Sequence, residues 1–453
     1  MITAGATKDQ WLAHLESIHP ANIEMGLGRV TKVAEQLDLF KPAPVVIVVG
    51  GTNGKGTTTA LLGQLLAENG LTSACYNSPH IHEYNERINR RDSVNSMRLS
   101  TDDELCKAFS AIELGRGDIT LTYFEFGTLA ALWQIKQWHV DVAILEVGLG
   151  GRLDAVNIVD TDLAIVTSVG LDHQDWLGDT LDLIGMEKAG IARANKPLIC
   201  GQLEAPKGFI KAADQLNAKT FYQGIDFSIA PSLLLSKKSR NYDDGWQWVK
   251  GDQIIALPRG HIPFYNIASA IAGLEAIGLL PDIERIQSAV DRTKVPGRLT
   301  HISCEFNGTP VTFILDVAHN AQAAGFLADQ VQDCSVAILA MLADKDPAAV
   351  VSALPCIESW HLASLQGYRG QTSHSLLERI VESESNGADC NWQKFNMTCH
   401  ETVKLAMISG LKDVCSKKLN DGNIDHKILI IGSFLTVSAA EKALVCIDGL
   451  LLK

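Results

Sequence analysis

The sequence predicts an α/β protein of two domains, and three observations carry that prediction. The first is Pro44–Thr59 (PVVIVVGGTNGKGTTT): the β-branched run Val45–Val49 suits a strand buried on both faces of a parallel sheet. Gly50, Gly51, Gly54 and Gly56 then break into a loop, and leucines at helical spacing run from Thr57 to Asn69. The second is recurrence of the strand, loop, helix order, with strand-like runs at Val140–Val147, Leu163–Val169 and Pro197–Cys200. The third is a Pro-Gly break at Val295–Arg298, beyond which the alternation restarts with Val311–Leu315, Val336–Met341, Trp360–Leu365 and Ile428–Ile431. A chain of 453 residues also exceeds what one core usually supports. The expected architecture is an N-terminal domain over 1–295, a P-loop ATPase-type, mostly parallel sheet flanked by helices with a small β appendage near 220–258. A smaller C-terminal Rossmann-like α/β domain is expected over 296–453.

The glycine loop carries the first chemical inference. Glycines let backbone N–H groups converge on a phosphate at a helix N-terminus, where the dipole favours negative charge, and Lys55 adds a full positive charge. The strict P-loop pattern has Ser or Thr directly after the lysine; here Gly56 intervenes and the hydroxyl arrives at Thr57. An ordinary glycine turn is the bland alternative. A lysine among the glycines, threonines behind it and a buried strand in front favour a nucleoside triphosphate bound by Thr52, Asn53, Gly54, Lys55, Gly56 and Thr57.

Composition bounds the remaining classes. Apolar content of 46% with 20% charged residues is that of a globular enzyme. No apolar run approaches a membrane span, and the N-terminus lacks the regions of a signal peptide, so a cytoplasmic protein without a membrane partner is expected. Ten cysteines without a C-x-x-C pair argue for reduced thiols rather than a zinc or disulfide framework. A net charge of −13 disfavours nucleic acid as a partner. A monomer acting on small molecules is expected.

Taken in order, residues 10–40 show helical patterning interrupted by Ile23–Gly28, a helix start or the wall of a flat apolar pocket. Ala74–His80 reads as a strand ending in a polar turn, with Ser78 where parallel sheets bind ligands; His80, His82 and the charged run Glu83–Arg91 read as a solvated loop. Thr122–Phe126 opens a helix, and Glu125 could be a cap that compensates the dipole. Glu146 ends an apolar strand, where an ionisable carboxylate is costly unless paired or metal-bound. Asp172-His173 follows the next strand, and Lys188 lies near a helix end. Ser78, Glu146 and His173 at one sheet edge beside a phosphate loop are what a Mg²⁺-nucleotide site requires, unrelated loop polarity being the alternative. Residues 220–258 carry hairpin patterning around Asp244-Gly245 and Gly251-Asp252, and helices are expected at Asn266–Ile277 and Ile283–Val290. In the second domain, Asp316–Asn320 ends one strand at the functional edge, and Gly432-Ser433 offers an anion contact at a helix start.

Read together, the motifs GTNGKGT (51–57), SPH and NERI (78–88), TYFEFGT (122–128), EVGLGGRLDAVNIV (146–159), LDHQDWLG (171–178), EKAGI (187–191), PGR (296–298) and DVAHN (316–320) resemble the dihydrofolate synthase/folylpolyglutamate synthase family. That family belongs to the Mur-ligase-like amide-bond-forming ATPases. The resemblance runs in register over nearly the whole chain. It implies a ligase in which ATP phosphorylates a substrate carboxylate and the amino group of L-glutamate attacks the acyl phosphate. The substrates implied are 7,8-dihydropteroate and reduced folates; a folylpolyglutamate synthase alone, or another Mur-type amino-acid ligase, is the alternative. By the family pattern, Ser78, Glu146 and His173 hold two Mg²⁺ ions, with K⁺ as a possible further ion. Lys188 matches a lysine carried as N6-carboxylysine, and Lys55, Glu146, His173 and Lys188 would form the catalytic set. Asn266, Arg298, Asp316 and His319 join the loop in contacting ATP. The pterin side falls to Glu24, Met25, Gly26 and Leu27, to Thr122, Tyr123, Phe124 and Glu125, and to Leu153, Asp154 and Ala155. Two departures, Ala321 after DVAHN where proline is usual and Ile267 after Asn266 where alanine is common, bear on local loop geometry only.

Overall fold

The computed structural model describes residues 5–19, 24–231, 245–258, 261–367, 369–385, 395–417 and 426–452. Asp244 of the first hairpin turn and Ile23 fall outside them. The chain divides into two compact units, Met1–Lys294 and Val295–Lys453.

The first unit is built on an eight-stranded sheet of β1 (Val45–Gly50), β2 (Ser73–Tyr76), β3 (Ile88–Ser93), β4 (Ser96–Leu99), β5 (Val142–Glu146), β6 (Leu163–Val166), β7 (Pro197–Cys200) and β8 (Lys219–Tyr222). Their order across the sheet is β4-β3-β2-β5-β1-β6-β7-β8, parallel from β2 to β8 with an antiparallel pair at one edge. β1 is central, so its apolar run is covered on both faces. Leu61, Leu62, Leu65 and Leu66 of the helix Lys55–Glu68 cover one side together with Ile267 and Ile271 of the helix Phe264–Ala276. Val30 and Val33 of the helix Gly28–Leu37, with Leu129 and Leu132 of the helix Tyr123–Trp138, cover the other.

Two sequence expectations are corrected here. The run Glu83–Arg91 is not a solvated loop: it forms a 3₁₀ turn, Tyr84–Arg87, and then β3, which pairs with the edge β2 would otherwise leave open. Its charge is accommodated by stacking and hydrogen bonding. The buried Arg87 guanidinium lies 5.1 Å from the Tyr84 ring centroid and 5.7 Å from that of Tyr123, and its Nε donates to His80 Nδ1 at 2.9 Å. Burial and this neighbouring cation hold the His80 imidazole down at about 4. Second, residues 219–222 belong to the main sheet as β8, so the appendage is the smaller antiparallel set β9 (Ser228–Pro231), β10 (Trp246–Lys250) and β11 (Gln253–Leu257). The hairpin turn between β10 and β11 is Gly251-Asp252, with Gly251 at φ 56.

The second unit carries β12 (Thr300–Phe306), β13 (Thr309–Leu315), β14 (Val336–Leu339), β15 (Ser359–Ala363), β16 (Asn396–His400), β17 (His426–Ile431) and β18 (Leu450–Leu452), ordered β16-β15-β14-β17-β13-β12-β18. The five strands from β16 to β13 are parallel; β12 and β18 close one edge antiparallel. β12 was not anticipated from the sequence. It forms a hairpin with β13 across Asn307-Gly308, whose φ values of 49 and 80 are those of a tight primed turn.

This topology sends the carboxyl ends of β1, β2, β5, β6 and β7 to one edge of the first sheet. The register aligns them closely, with Val49 beside Glu146 and Gly50 beside Val166. The appendage is tied down by Trp248, which is fully buried in the core under the helix Phe264–Ala276 and donates its indole N–H to the Ala268 carbonyl at 3.3 Å. Trp248→Ala should lower stability by about 3–5 kcal/mol, the usual cost of emptying a buried aromatic site, in urea unfolding monitored by circular dichroism.

Candidate active site

The loop after β1 is shaped by its glycines and fastened to the segment after β6. Gly51 sits at φ 143, and a Cβ there would lie 2.0 Å from Thr167 Oγ1; Gly54 sits at φ 87, and a Cβ there would lie 2.4 Å from the Asn266 side-chain nitrogen. No side chain fits at either place. Thr52 N–H donates to the Ser168 carbonyl at 2.9 Å, Asn53 N–H to Ser168 Oγ at 3.0 Å, and Thr167 Oγ1 to the Asn53 carbonyl at 2.6 Å. Lys55, the first residue of its helix, folds its ammonium back on the loop carbonyls of Gly51 and Thr52, at 3.0 and 3.3 Å. Thr57 is buried in the same first turn, two residues on.

Glu146 ends β5 with its carboxylate buried, accepting the Ser78 N–H at 3.2 Å. The same oxygen lies 3.6 Å from where a Cβ on Gly56 would be, which puts it against the first turn of the loop's helix. Ser78 and Glu146 are therefore joined directly. His173 adopts a left-handed conformation at the start of the short helix Gln174–Leu177, with Nε2 4.0 Å from Asp172 Oδ2. Among the described residues, no three His, Cys, Asp or Glu side chains gather as a metal cluster. The Ser78, Glu146 and His173 set holds two of those types.

Two buried groups have displaced protonation. Burial, reinforced by the charge of Lys55, brings the Lys188 amine down to about 7 against the pull of Asp172 and Asp154. Burial pushes the Asp154 carboxyl up to about 6, although it accepts N–H groups from Leu149 at 2.8 Å and Val156 at 2.9 Å and feels Lys55. Lys55, Lys188, Asp154 and Asp172 thus lie within one another's fields. Gly151 makes this possible: a Cβ there would lie 2.6 Å from the Glu187 carbonyl and 3.1 Å from the Lys188 Cα, so the 148–151 loop lies directly on the end of the helix Leu181–Ala189.

The segments expected on the pterin side meet around this loop. The Phe124 ring covers Gly148, where a Cβ would be 2.4 Å from it, and a Cβ on Gly150 would be 3.8 Å from Met25 Cε. Leu153 is partly exposed and Ala155 buried, opening the 3₁₀ turn that Asp154 caps. Gly26 has φ 145 and Leu27 precedes the helix Gly28–Leu37. Glu125 is committed to the protein itself: it forms a capping box with Thr122, and its other oxygen accepts from Arg29 Nη2 at 3.0 Å. Arg29 also pairs with Glu24. Tyr123 packs edge-on against Tyr84, with centroids 6.0 Å apart.

In the second unit, Arg298 Nη1 stands 3.5 Å from Asp316 Oδ1. The Asp316 carboxylate also accepts the Leu299 N–H at 3.0 Å and the Ala318 N–H at 2.8 Å; burial raises it above the ordinary range. His319 Nδ1 faces the Val317 carbonyl at 2.8 Å. Asn320 caps the helix Ala321–Ala328, placing Ala321 at the first helical position, where proline and alanine both fit. The Ser433 hydroxyl accepts the Thr436 N–H at 3.0 Å as the N-cap of the helix Phe434–Leu444.

Sequence reasoning passed over Thr167, Ser168 and Arg29. The first two follow β6 in the same polar strand-end pattern that singled out Asp172 and His173. Arg29 carried no signal, because its buried partner Glu125 is distant in sequence.

A glycine loop opening a helix at the carboxyl edge of a parallel sheet, with a buried carboxylate at the neighbouring strand end, defines the phosphate-loop α/β class. No protein-family model matches the chain. The dihydrofolate synthase/folylpolyglutamate synthase of Escherichia coli K12 is 40% identical over 435 residues, spanning 94% of this chain and 93% of that protein; the Haemophilus influenzae protein of the same name is 36% identical over 449 residues. The chain belongs to the dihydrofolate synthase/folylpolyglutamate synthase family. Among solved structures, E. coli FolC in complex with DHPP and ADP matches with a TM-score of 0.83 at 35% identity, covering 98% of this chain and 99% of that one. The Yersinia pestis bifunctional enzyme complexed with AMPPNP and Mn ion matches with 0.84 at 36%, covering 98% and 100%.

Two outcomes follow from this geometry. Gly51→Ala should destabilise the first unit, because it combines a forbidden φ with overlap on Thr167; a thermal melt should fall by several degrees. The second concerns Lys188, whose pKa in the fold is about 7 against an ordinary 10.5. Between these values the unfolded chain holds a proton that the folded one does not, so the stability contribution of Lys188 is smallest at or below about 7 and rises with pH toward 10.5. In CO₂-free buffer, urea unfolding at about pH 7 and about pH 9 should show wild type gaining on Lys188→Met as pH rises.

Proposed function

We propose that the chain is a ligase that uses ATP to join the amino group of L-glutamate to the carboxyl of 7,8-dihydropteroate, giving dihydrofolate, and to reduced folates, giving folylpolyglutamates. The γ-phosphoryl group passes to the substrate carboxylate, releasing ADP. The glutamate amine attacks the resulting acyl carbon, phosphate leaves with the bonding electrons, and the nitrogen gives up a proton. The observation that carries this reading is the Glu146 carboxylate, buried against the first turn of the glycine-loop helix. Together with Lys55, His173 and Lys188 it argues against a nucleotide-only binder, which has no need of a second ion. The dihydrofolate synthase/folylpolyglutamate synthase relatives, with solved structures of that enzyme holding ADP and DHPP or AMPPNP and Mn, support the same substrates.

In this reading the loop amides and Lys55 hold the triphosphate, exchanging the carbonyls of Gly51 and Thr52 for phosphate oxygens. Asn266, in contact with Gly54, steadies the loop. Ser78, Glu146 and His173 would hold Mg²⁺, and the donor set suits it: a buried carboxylate, a hydroxyl and an imidazole. When bound, the ion neutralises charge on the phosphates as the phosphoryl group moves. The Lys188 amine, neutral for much of the time near pH 7, is suited to take up CO₂ and become a carbamate, which turns a cation beside Lys55 into an anion. Phe124 offers a ring face over Gly148 for a flat pterin; Met25 and Leu153 line the same region. The proposed working form is a cytoplasmic monomer. No described helix is long and apolar enough to cross a membrane.

ADP formation should match dihydrofolate formation one for one, and hydroxylamine should trap a dihydropteroate hydroxamate only when ATP is present. Glutamylation of tetrahydrofolate without turnover of dihydropteroate would reduce the assignment to polyglutamylation alone. Lys55→Ala should lower kcat/KM by about 10²–10³-fold, as when one charge-stabilising donor is removed. Glu146→Gln and His173→Ala should each shift the Mg²⁺ titration of activity to higher concentration, and an unshifted curve would remove that residue from the ion site.

A further inference from the structure

A cluster in the second unit takes no part in this chemistry. His361 lies in the middle of β15, and the parallel register sets it beside Thr398 of β16, with His400 two residues on and therefore on the same face. The helix Val403–Lys417 covers that face: a Cβ on Gly410 would lie 3.5 Å from His361 Cδ2, and Asp413, one turn later, brings Oδ2 within 3.1 Å of His361 Nε2. On the other side of the ring, His361 Nδ1, His400 Nε2 and Thr398 Oγ1 form a triangle with sides of 3.2, 2.9 and 3.1 Å.

The triangle is short of hydrogens. His361 donates its Nε2–H to the Asp413 carboxylate, which leaves Nδ1 as a bare lone pair. Thr398 and His400 bring at most one hydrogen each, so with Thr398 donating to His361 Nδ1 and His400 donating to Thr398 Oγ1 the three contacts share two hydrogens, and the 3.2 Å contact between Nδ1 and Nε2 has none of its own. A cation relieves that. A metal ion coordinates all three atoms at once, and an imidazole whose far N–H is fixed by a carboxylate is the usual form of a histidine ligand.

We propose that His361 Nδ1, His400 Nε2 and Thr398 Oγ1 form a site for one borderline divalent transition-metal ion, Zn²⁺ or Cu²⁺, with Asp413 as the positioning residue behind His361. An ion about 2.1 Å from each donor would see them roughly 90–100° apart, with the remaining positions left to water. Two imidazoles select ions of this class over Mg²⁺. His361 is buried, whereas His400, Thr398 and Asp413 are partly exposed and give the ion its way in.

The test is titration of ZnSO₄ into the metal-free full-length chain without nucleotide, followed calorimetrically, with circular dichroism confirming that each variant is folded. Binding at the Ser78, Glu146 and His173 set is common to all variants, and wild type should take up one further equivalent at this cluster. His400→Gln should weaken that binding at least 100-fold, and Asp413→Asn by about 10–100-fold without abolishing it. With Cu²⁺, electron paramagnetic resonance should show coupling to two imidazole nitrogens in wild type and one in His400→Gln. Absence of that further equivalent in wild type would overturn the site, as would equal affinity and an unchanged nitrogen count in folded His400→Gln.

Discussion

The packing of the 51–54 loop against the segment after β6 is the constraint on which the rest of the first unit depends. Two glycines at positive φ let the loop lie on Thr167 and Asn266 with no room for a Cβ, and Thr52 and Asn53 bond to Ser168. β1 and β6 are neighbours in the sheet, so the loop is fixed by the strand pairing itself. Its helix then starts at a defined height, which sets Lys55 above the Glu146 end of β5. Loosening one contact would move the ammonium, the carboxylate and the Asn266 amide relative to one another.

A second consequence is electrostatic. Lys188, Asp154 and Glu146 are removed from water, with Asp154 accepting the N–H groups of Leu149 and Val156 and Glu146 that of Ser78. That arrangement costs stability and leaves groups whose charge is easily changed. Lys188 near 7 and Asp154 near 6 are the products of burial, with Lys55 acting in the same direction on the first and against it on the second. Arg87 is handled differently: its charge is spread over two tyrosine rings and an imidazole, so it stays cationic in a buried place.

The sequence was most legible where local chemistry is decisive. Val45–Val49 could hardly be anything but a covered strand, the glycines fixed a loop, and the strand-end positions of Ser78, Glu146 and His173 followed from where apolar runs stopped. It was least legible where partners lie far along the chain. Glu83–Arg91 looked solvated because its charges were visible and the rings that receive Arg87 were not. Residues 219–222 looked like part of the appendage because a four-residue edge strand carries little pattern of its own.

By itself, then, the amino-acid sequence determined the strand, loop, helix units, the break near Pro296-Gly297 and the family, since these rest on residues adjacent in the chain. Only the tertiary structure decided which strands are neighbours, that β3 and β4 complete the sheet edge, and that Asn266 meets Gly54 across more than two hundred residues. It also decided the protonation of Lys188 and Asp154 and the meeting of His361 with His400 and Asp413. Proximity of this kind is created by sheet order and burial, and neither is written in any one stretch of the chain.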